Sequence, residues 1–359
     1  MSHAAAKTKI KCVVWDLDNT LWEGVLLESE TEMTPRPEAL ALIEELDRRG
    51  ILQSIASRNE HELACAALER LGLLDYFLAP QINWGAKSQS LSAVADALNI
   101  GLDTFAFIDD QPFEREEVAS VHPQVRVFGE NEIEALASRE DFNPLYVTED
   151  SKQRRALYQR DAQRRQAQEN FDGPEESFLR SLDMRLSLAP AQEKDLFRAE
   201  ELTVRTNQLN TTGVTYSVDD LRALIASPDH SVVIAELSDR YGSYGAIGLV
   251  LISLTQDEAD AAERGWCIDL FLMSCRVMSR GVGGVILSLL RRAAHNSQRR
   301  LLARFKQTDR NRMMYVTYRF AGFSEQDDSE LLINSLSEIP AIPDTMALSV
   351  DAALGWDYE

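Results

Sequence analysis

Short apolar runs and amphipathic stretches alternate through the first 130 positions. Lys11–Trp15 is a largely apolar, β-rich run that ends in Asp16, and Leu52–Ala56 is a second. Thr104–Ile108 is a third, ending at Asp109 and Asp110, with Val125–Phe128 after it. Between them, Pro37–Arg49 carries Leu40, Leu42, Ile43 and Leu46 at helical spacing and is closed by Gly50; Glu60–Leu71 is closed by Gly72; Gln89–Leu98 is a third helix. This alternation predicts a parallel sheet with helices on both faces.

The pattern then changes. From Asn131 to Leu182 it is helical and charged, with the arginine-rich run KQRRALYQRDAQRR at Lys152–Arg165 and a break at Asp172-Gly173-Pro174. It reads as a bridge without a core of its own, whose charged run is a solvated helix face. A second domain begins at Asp183. Met184–Leu188, Val232–Leu237, Ala246–Leu254, Cys267–Met273 and Leu301–Phe305 read as strands, the second and third forming a hairpin; Lys194–Leu209, Gly281–Ala294 and Asn311–Phe320 read as helices. Strands in runs indicate an α+β fold. The expected organisation is an α/β domain over 1–130, a bridge over 131–182, an α+β domain over 183–325 and an acidic tail over 326–359.

The 359 residues suit two domains better than one core. A formal charge of −21 disfavours nucleic acid and anionic membranes as partners, because the long-range field repels phosphate. Cys12, Cys65, Cys267 and Cys275 lack disulfide or zinc spacing, which reads as reduced thiols in a cytoplasm. Neither a signal peptide nor an apolar run long enough to span a membrane is visible.

The chemistry gathers at the ends of the predicted strands. Asp16 and Asp18 stand two residues apart just past the first strand, where open α/β sheets bind ligands. Paired carboxylates repel unless a cation joins them, which points to Mg²⁺, and one of them can serve as a nucleophile. Ser57 closes the second strand, where a hydroxyl near helix amides suits a phosphate oxygen. Lys87 precedes the next helix and supplies a cation; Asp109 and Asp110 close the next strand. An acid pair, a serine, a lysine and a second acid pair, in that order, form a phosphate-site constellation.

With those residues in place, VVWDLDNTLWEGV and ASRNE resemble the FkbH-like branch of the haloacid dehalogenase (HAD) superfamily. The resemblance implies that Asp16 attacks phosphorus and that Asp18 protonates the leaving group and then activates water. It implies that Ser57 and Lys87 hold the phosphoryl group, while Asp16, Asp109 and the backbone carbonyl of Asp18 bind Mg²⁺. Asp110 is either a direct ligand or an acid behind the ligands. The intervals from Thr20 to the second strand and from Ser57 to Lys87 leave no room for a large cap.

In the second half, RTNQLNTTG (Arg205–Gly213) and LFLMSCRVMSRGVGG (Leu270–Gly284) resemble the C-terminal part of the same family, which is similar to the GNAT acyltransferase fold. The expected fold class is therefore a HAD-like Rossmannoid sheet without a large cap, followed by a GNAT-like α+β domain. Gly281, Gly283 and Gly284 lie between strand and helix, where bare amides can cradle a pantetheine phosphate. Met278 stands where an acetyl-CoA loop has Gln or Arg, and packing is the alternative reason for the glycines. Cys275, beside Arg276, is the candidate acyl-carrying thiol; the rival Cys12 lies roughly 13 Å from Asp16 by strand rise, which argues for core packing.

The resemblance implies a glyceryl transferase/phosphatase that takes 1,3-bisphosphoglycerate and loads the glyceryl group onto the phosphopantetheine arm of an acyl carrier protein in polyketide-type biosynthesis. Arg291, Arg292, Arg299, Arg300 and Arg304 are a candidate docking surface for such an acidic carrier, with a solvated helix end as the plainer reading. The alternatives are a stand-alone capless Mg²⁺ phosphatase and a non-catalytic module that binds the carrier.

Overall fold

Every side chain of β1 (Cys12–Trp15) is buried, and alternation along this strand builds both faces of the first sheet. The computed structural model describes residues 9–28, 33–144, 147–206, 208–255, 265–325, 330–339 and 341–358. The N-terminal segment before Lys9, Asn207 of the RTNQLNTTG string and parts of the acidic tail lie outside the described residues. The chain divides between Gln159 and Arg160 into two units.

In the first unit, β1 is followed by a two-stranded ribbon, β2 (Trp22–Glu23) and β3 (Thr34–Pro35). Then come α1 (Pro37–Arg48), β4 (Leu52–Ser57), α2 (His61–Arg70), β5 (Gln81–Ile82), α3 (Lys87–Leu98), β6 (Phe105–Ile108), α4 (Pro112–Val121), β7 (Arg126–Phe128), α5 (Ile133–Leu136) and α6 (Glu149–Lys152). The five-stranded sheet has the order β5-β4-β1-β6-β7, and all its pairings are parallel. Val13 and Trp15 of β1, with Ala106 and Ile108 of β6, pack against α1, α2 and α5. Cys12 and Val14, with Phe105 and Phe107, pack against α3 and α4. A side-chain period of two thus produces a sheet buried on both faces.

Three features depart from the expectation. The interval after Thr20 holds the β2–β3 ribbon as well as a helix. Helix α3 starts at Lys87, two residues earlier than its periodicity indicates. Helix α4 was not visible because it buries only Glu114 and Val118, too few positions to set a period.

The helix α7 (Arg154–Glu169) contains the division between the units. The second unit continues with α8 (Glu175–Ser181), β8 (Met184–Pro190), α9 (Leu196–Arg205), α10 (Val218–Ala226), β9 (His230–Asp239), β10 (Gly242–Thr255) and β11 (Gly265–Met273). It ends with α11 (Val282–Asn296), β12 (Arg300–Arg304), α12 (Arg312–Phe320), β13 (Phe323–Glu325), β14 (Leu331–Asn334) and β15 (Met346–Val350). Its eight-stranded sheet runs β13-β14-β12-β11-β10-β9-β8-β15. The pairing is mixed: β11–β12 and β8–β15 are parallel and the other neighbours antiparallel. Helices α8, α11 and α12 cover one face, and α9 and α10 the other.

Two expectations for this region are corrected. Residues read as a tail supply β14 and β15, both hydrogen-bonded into the sheet. The arginine run is not simply a solvated face. Arg164 is fully buried, with Nε and Nη2 donating to the two carboxylate oxygens of Asp239 at 2.7 and 2.8 Å and its plane 3.7 Å from the Tyr244 ring. Periodicity could not show this, because the partners lie 75 residues away.

Candidate active site

The strand register assembles the first-half site. Trp15 pairs with Ile55 on one side and Ile108 on the other, so the residues that follow, Asp16, Ala56 and Asp109, emerge side by side at the carboxyl edge. The chain runs from β1 to β4 on one side and later returns to β6 on the other, so this edge is the switch point of the sheet.

Lys87, the first residue of α3, projects backward from the helix start, as helix geometry dictates. Its Nζ donates to Asp16 Oδ1 at 2.5 Å, to the carbonyl of Ala56 at 2.7 Å and to Asp109 Oδ2 at 3.1 Å. Lys87, Asp16 and Asp109 are all buried. Desolvation works against the Lys87 ammonium, but the charges of Asp16 and Asp109 and their hydrogen bonds outweigh it and raise its pKa. Asp109 is pushed up by burial first and by the charge of Asp16 second, with Lys87 opposing. Asp110, half-buried, is raised by burial and by Asp16.

Carboxylate oxygens of Asp16, Asp109 and Asp110 lie within 4.8 Å of one another. Three carboxylates against one amine leave two negative charges unmatched in a buried setting. An oxygen-preferring divalent cation fits that donor set. The loop is held in shape from behind: Asp109 Oδ1 accepts from Gln111 N at 2.8 Å, and Arg115 Nη1 donates to the carbonyls of Asp109 and Asp110. Thr20 Oγ1 accepts from Asp110 N at 2.9 Å.

The side chain of Asp18 stands apart from this cluster. The left-handed Asn19 (φ 54°) turns the chain, and the Asp18 carboxylate enters its own cage. Oδ1 accepts from Trp22 Nε1 at 2.8 Å and Leu26 N at 3.0 Å, and Oδ2 from Asn59 Nδ2 at 3.0 Å. Burial outweighs these bonds and raises its pKa, the direction a proton donor needs. Ser57, the last residue of β4, is buried, and its carbonyl accepts from Asn83 N.

Sequence reasoning passed over Asn59, Thr20, Arg115 and Trp22. Trp22 is fully buried and also orients Asp18. Its spacing of four from Asp18 was the available signal; Asn59 and Arg115 carried none, because their partners are distant or main-chain.

The second-half candidates lie in the other unit. Cys275 opens a 3₁₀ turn, Cys275–Arg280, and is partly buried. Arg276 donates to the carbonyl of Tyr244 at 2.7 Å. Cys12 is a core residue whose thiol burial pushes far up. The glycines divide by role. Gly281 has φ 72° and turns the chain into α11. A Cβ on Gly283 would lie 2.6 Å from Met273 Cε, so packing explains that glycine; one on Gly284 would meet nothing within 4 Å.

The edge of β11 beyond Ile268, which β12 leaves uncovered, is taken by the RTNQLNTTG segment. Thr211 N donates to Phe271 O, Phe271 N to Thr211 Oγ1 and Met273 N to Leu209 O, and Lys306 N donates to Thr211 O from the other side. Of the arginines read as a candidate docking surface, Arg291 and Arg304 have partners within the chain. Arg291 is buried against Asn334 and the carbonyl of Glu338, and Arg304 pairs with Asp269 at 2.8 Å. Among the described residues no helix is long and apolar enough to cross a membrane.

No family model matches the chain, and no curated protein matches it. Among solved structures it is similar to the N-terminal part of a Bacteroides fragilis protein containing a phosphatase domain, complexed with Mg. The identity is 30% over 38% of this chain and 40% of that one, with a TM-score of 0.34. It is also similar to 3-deoxy-D-manno-octulosonate 8-phosphate phosphatase from Moraxella catarrhalis (23% identity, 28% and 57% covered, TM-score 0.23). A third similarity is to an aminoglycoside 6'-N-acetyltransferase from Acinetobacter baumannii (13% identity, 40% and 94% covered, TM-score 0.31). This chain spans two fifths of the length of the Bacteroides structure.

Proposed function

We propose that the first unit is a Mg²⁺-dependent phosphoryl-transfer site of the HAD type, with Asp16 as nucleophile. The reading rests on one observation: a buried lysine bonded at once to Asp16 and Asp109, with the Asp18 carboxyl held separately, its pKa raised by burial against the bonds that favour its charged form. Mg²⁺ held by Asp16, Asp109 and Asp110 would neutralise the phosphoryl oxygens. An Asp16 oxygen attacks phosphorus while the bond to the leaving oxygen breaks and Asp18 gives that oxygen its proton. Asp18, now a carboxylate, takes a proton from water, whose oxygen releases phosphate from the Asp16 acyl phosphate. Lys87 matches charge at Asp16 throughout, and the Ser57 hydroxyl would donate to a phosphoryl oxygen. Positioning and charge stabilisation carry such transfers.

For the whole chain, the FkbH-like sequence strings support a glyceryl transferase/phosphatase acting on 1,3-bisphosphoglycerate. The Cys275 thiol, as relay, takes the acyl group as the C1 phosphate leaves and passes it to the thiol of an acyl carrier protein. The remaining phosphate ester is hydrolysed at the Asp16 site, leaving a glyceryl thioester. A second reading, a stand-alone phosphatase with the second unit as scaffold, is favoured by the filled edge of β11 and the packed Gly283. Mass spectrometry of a holo carrier protein incubated with 1,3-bisphosphoglycerate, Mg²⁺ and the protein separates them. A glyceryl adduct lost in Cys275→Ala supports the first, and phosphate release without adduct the second. Neither product, or phosphate release unchanged in Asp16→Asn, removes the Asp16 mechanism.

A further inference from the structure

We propose that Arg58 is a substrate-positioning residue that receives a second anionic group, carboxylate or phosphate, on the molecule whose phosphoryl group is transferred. This rests on the reading of the first unit as a phosphoryl-transfer site. Ser57 and Asn59, on either side of Arg58, are buried, and Asn59 holds Asp18. The Arg58 side chain is 41% exposed. Its Nε donates to the carbonyl of Gly85 at 3.2 Å, and its Nη1 lies 2.8 Å from Glu114 Oε1.

These anchors matter for their place in the chain. Gly85 comes two residues before Lys87, and Glu114 four residues after Asp110. The guanidinium is therefore tied to all three segments that carry Ser57, Lys87 and the Asp109–Asp110 pair. Glu114 is itself buried, and its Oε2 has no hydrogen-bond partner among the described residues. An exposed ion pair is worth little, but a buried carboxylate holds its cation in one place, and Arg58 is thus pre-organised at the rim.

Among the described residues its Nη2 makes no hydrogen bond, so part of the fork remains for an incoming oxyanion. Planar donors of this kind bind carboxylate or phosphate through two parallel bonds. Lys87 is committed to Asp16 and Asp109 and does not serve this purpose. The substrate class is a small phosphorylated acid, in preference to a phosphate ester of a neutral alcohol.

The test is calorimetric titration of the full chain in Mg²⁺ with 3-phosphoglycerate and with glycerol 3-phosphate. These share a phosphate on three carbons and differ in the carboxylate. The parent is expected to bind 3-phosphoglycerate roughly 10- to 100-fold more tightly, the range for a charge-assisted contact. Arg58→Ala is expected to bring the ratio near one, and Arg58→Lys to keep part of it. Circular dichroism checks that each variant is folded. Equal affinities in the parent, no binding of either probe, or a ratio that survives Arg58→Ala would overturn the proposal. Hydrolysis of acetyl phosphate by the parent and Asp16→Asn is measured alongside: equal rates there sink the Asp16 mechanism, and the affinity ratio is read independently of it.

Discussion

Lys87→Met removes the cation and keeps most of the side-chain volume. The amine touches two buried carboxylates and a buried carbonyl, so the variant leaves Asp16 and Asp109 facing each other without compensation. Breaking a buried pair by deleting one partner typically costs about 3–5 kcal/mol. For a unit of this size that is a fall in melting temperature on the order of 10 °C. The measurement is thermal unfolding of the parent and the variant full chains in EDTA and again in Mg²⁺.

The pH dependence carries a sign. Asp109 has a folded-state pKa already above its ordinary value, so the folded state holds that proton more tightly, and stability falls as pH rises through the interval between the two values. Removing Lys87 widens the interval by taking away a charge that opposes the rise. The deficit of Lys87→Met is therefore largest at neutral pH, shrinks toward pH 5, and is partly recovered by Mg²⁺. Parent-like stability in EDTA at pH 7, or a deficit that grows on acidification, would show that the amine does not neutralise the acids.

Two further outcomes are expected. Trp22→Phe removes a bond to the charged form of Asp18, so the Asp18 pKa rises further. The alkaline limb of the kcat/KM profile, set by protonated Asp18, should move to higher pH, with about 1–3 kcal/mol of stability lost; an unmoved limb argues against Asp18 as the acid. In α11, Gly283→Ala meets the flexible end of Met273 and should cost about 1 kcal/mol. Gly284→Ala meets open space and should stabilise the helix by roughly 0.5–1 kcal/mol in denaturant titrations; equal effects would contradict the packing assignment of Gly283.

The strand-end residues Asp16, Ser57 and Asp109, and Lys87 at its helix start, were legible in the sequence. Each ends or begins a periodic run, and parallel sheets place such ends on one edge. The alternation that builds the first sheet is local, so a period of two or of 3.6 reveals it. Helix α10 was missed despite a readable capping box between Ser217 and Asp220; β2, β3 and β5 are two residues each, too short to carry a pattern.

Only the tertiary structure showed that the side chains of the two neighbouring acids part. Asp16 joins Lys87, Asp109 and Asp110 because strand register brings β1 beside β6, whereas the Asp18 side chain is drawn to Trp22, Leu26 and Asn59 by a left-handed turn at Asn19. It also decided that Arg164 is buried, that β14 and β15 complete a sheet, and that Leu209–Thr211 occupies the edge of β11. The reason is common to all of these. Local periodicity records which face of an element is apolar, while a buried charge or a sheet edge takes its partner from wherever the folded chain brings one within hydrogen-bond reach.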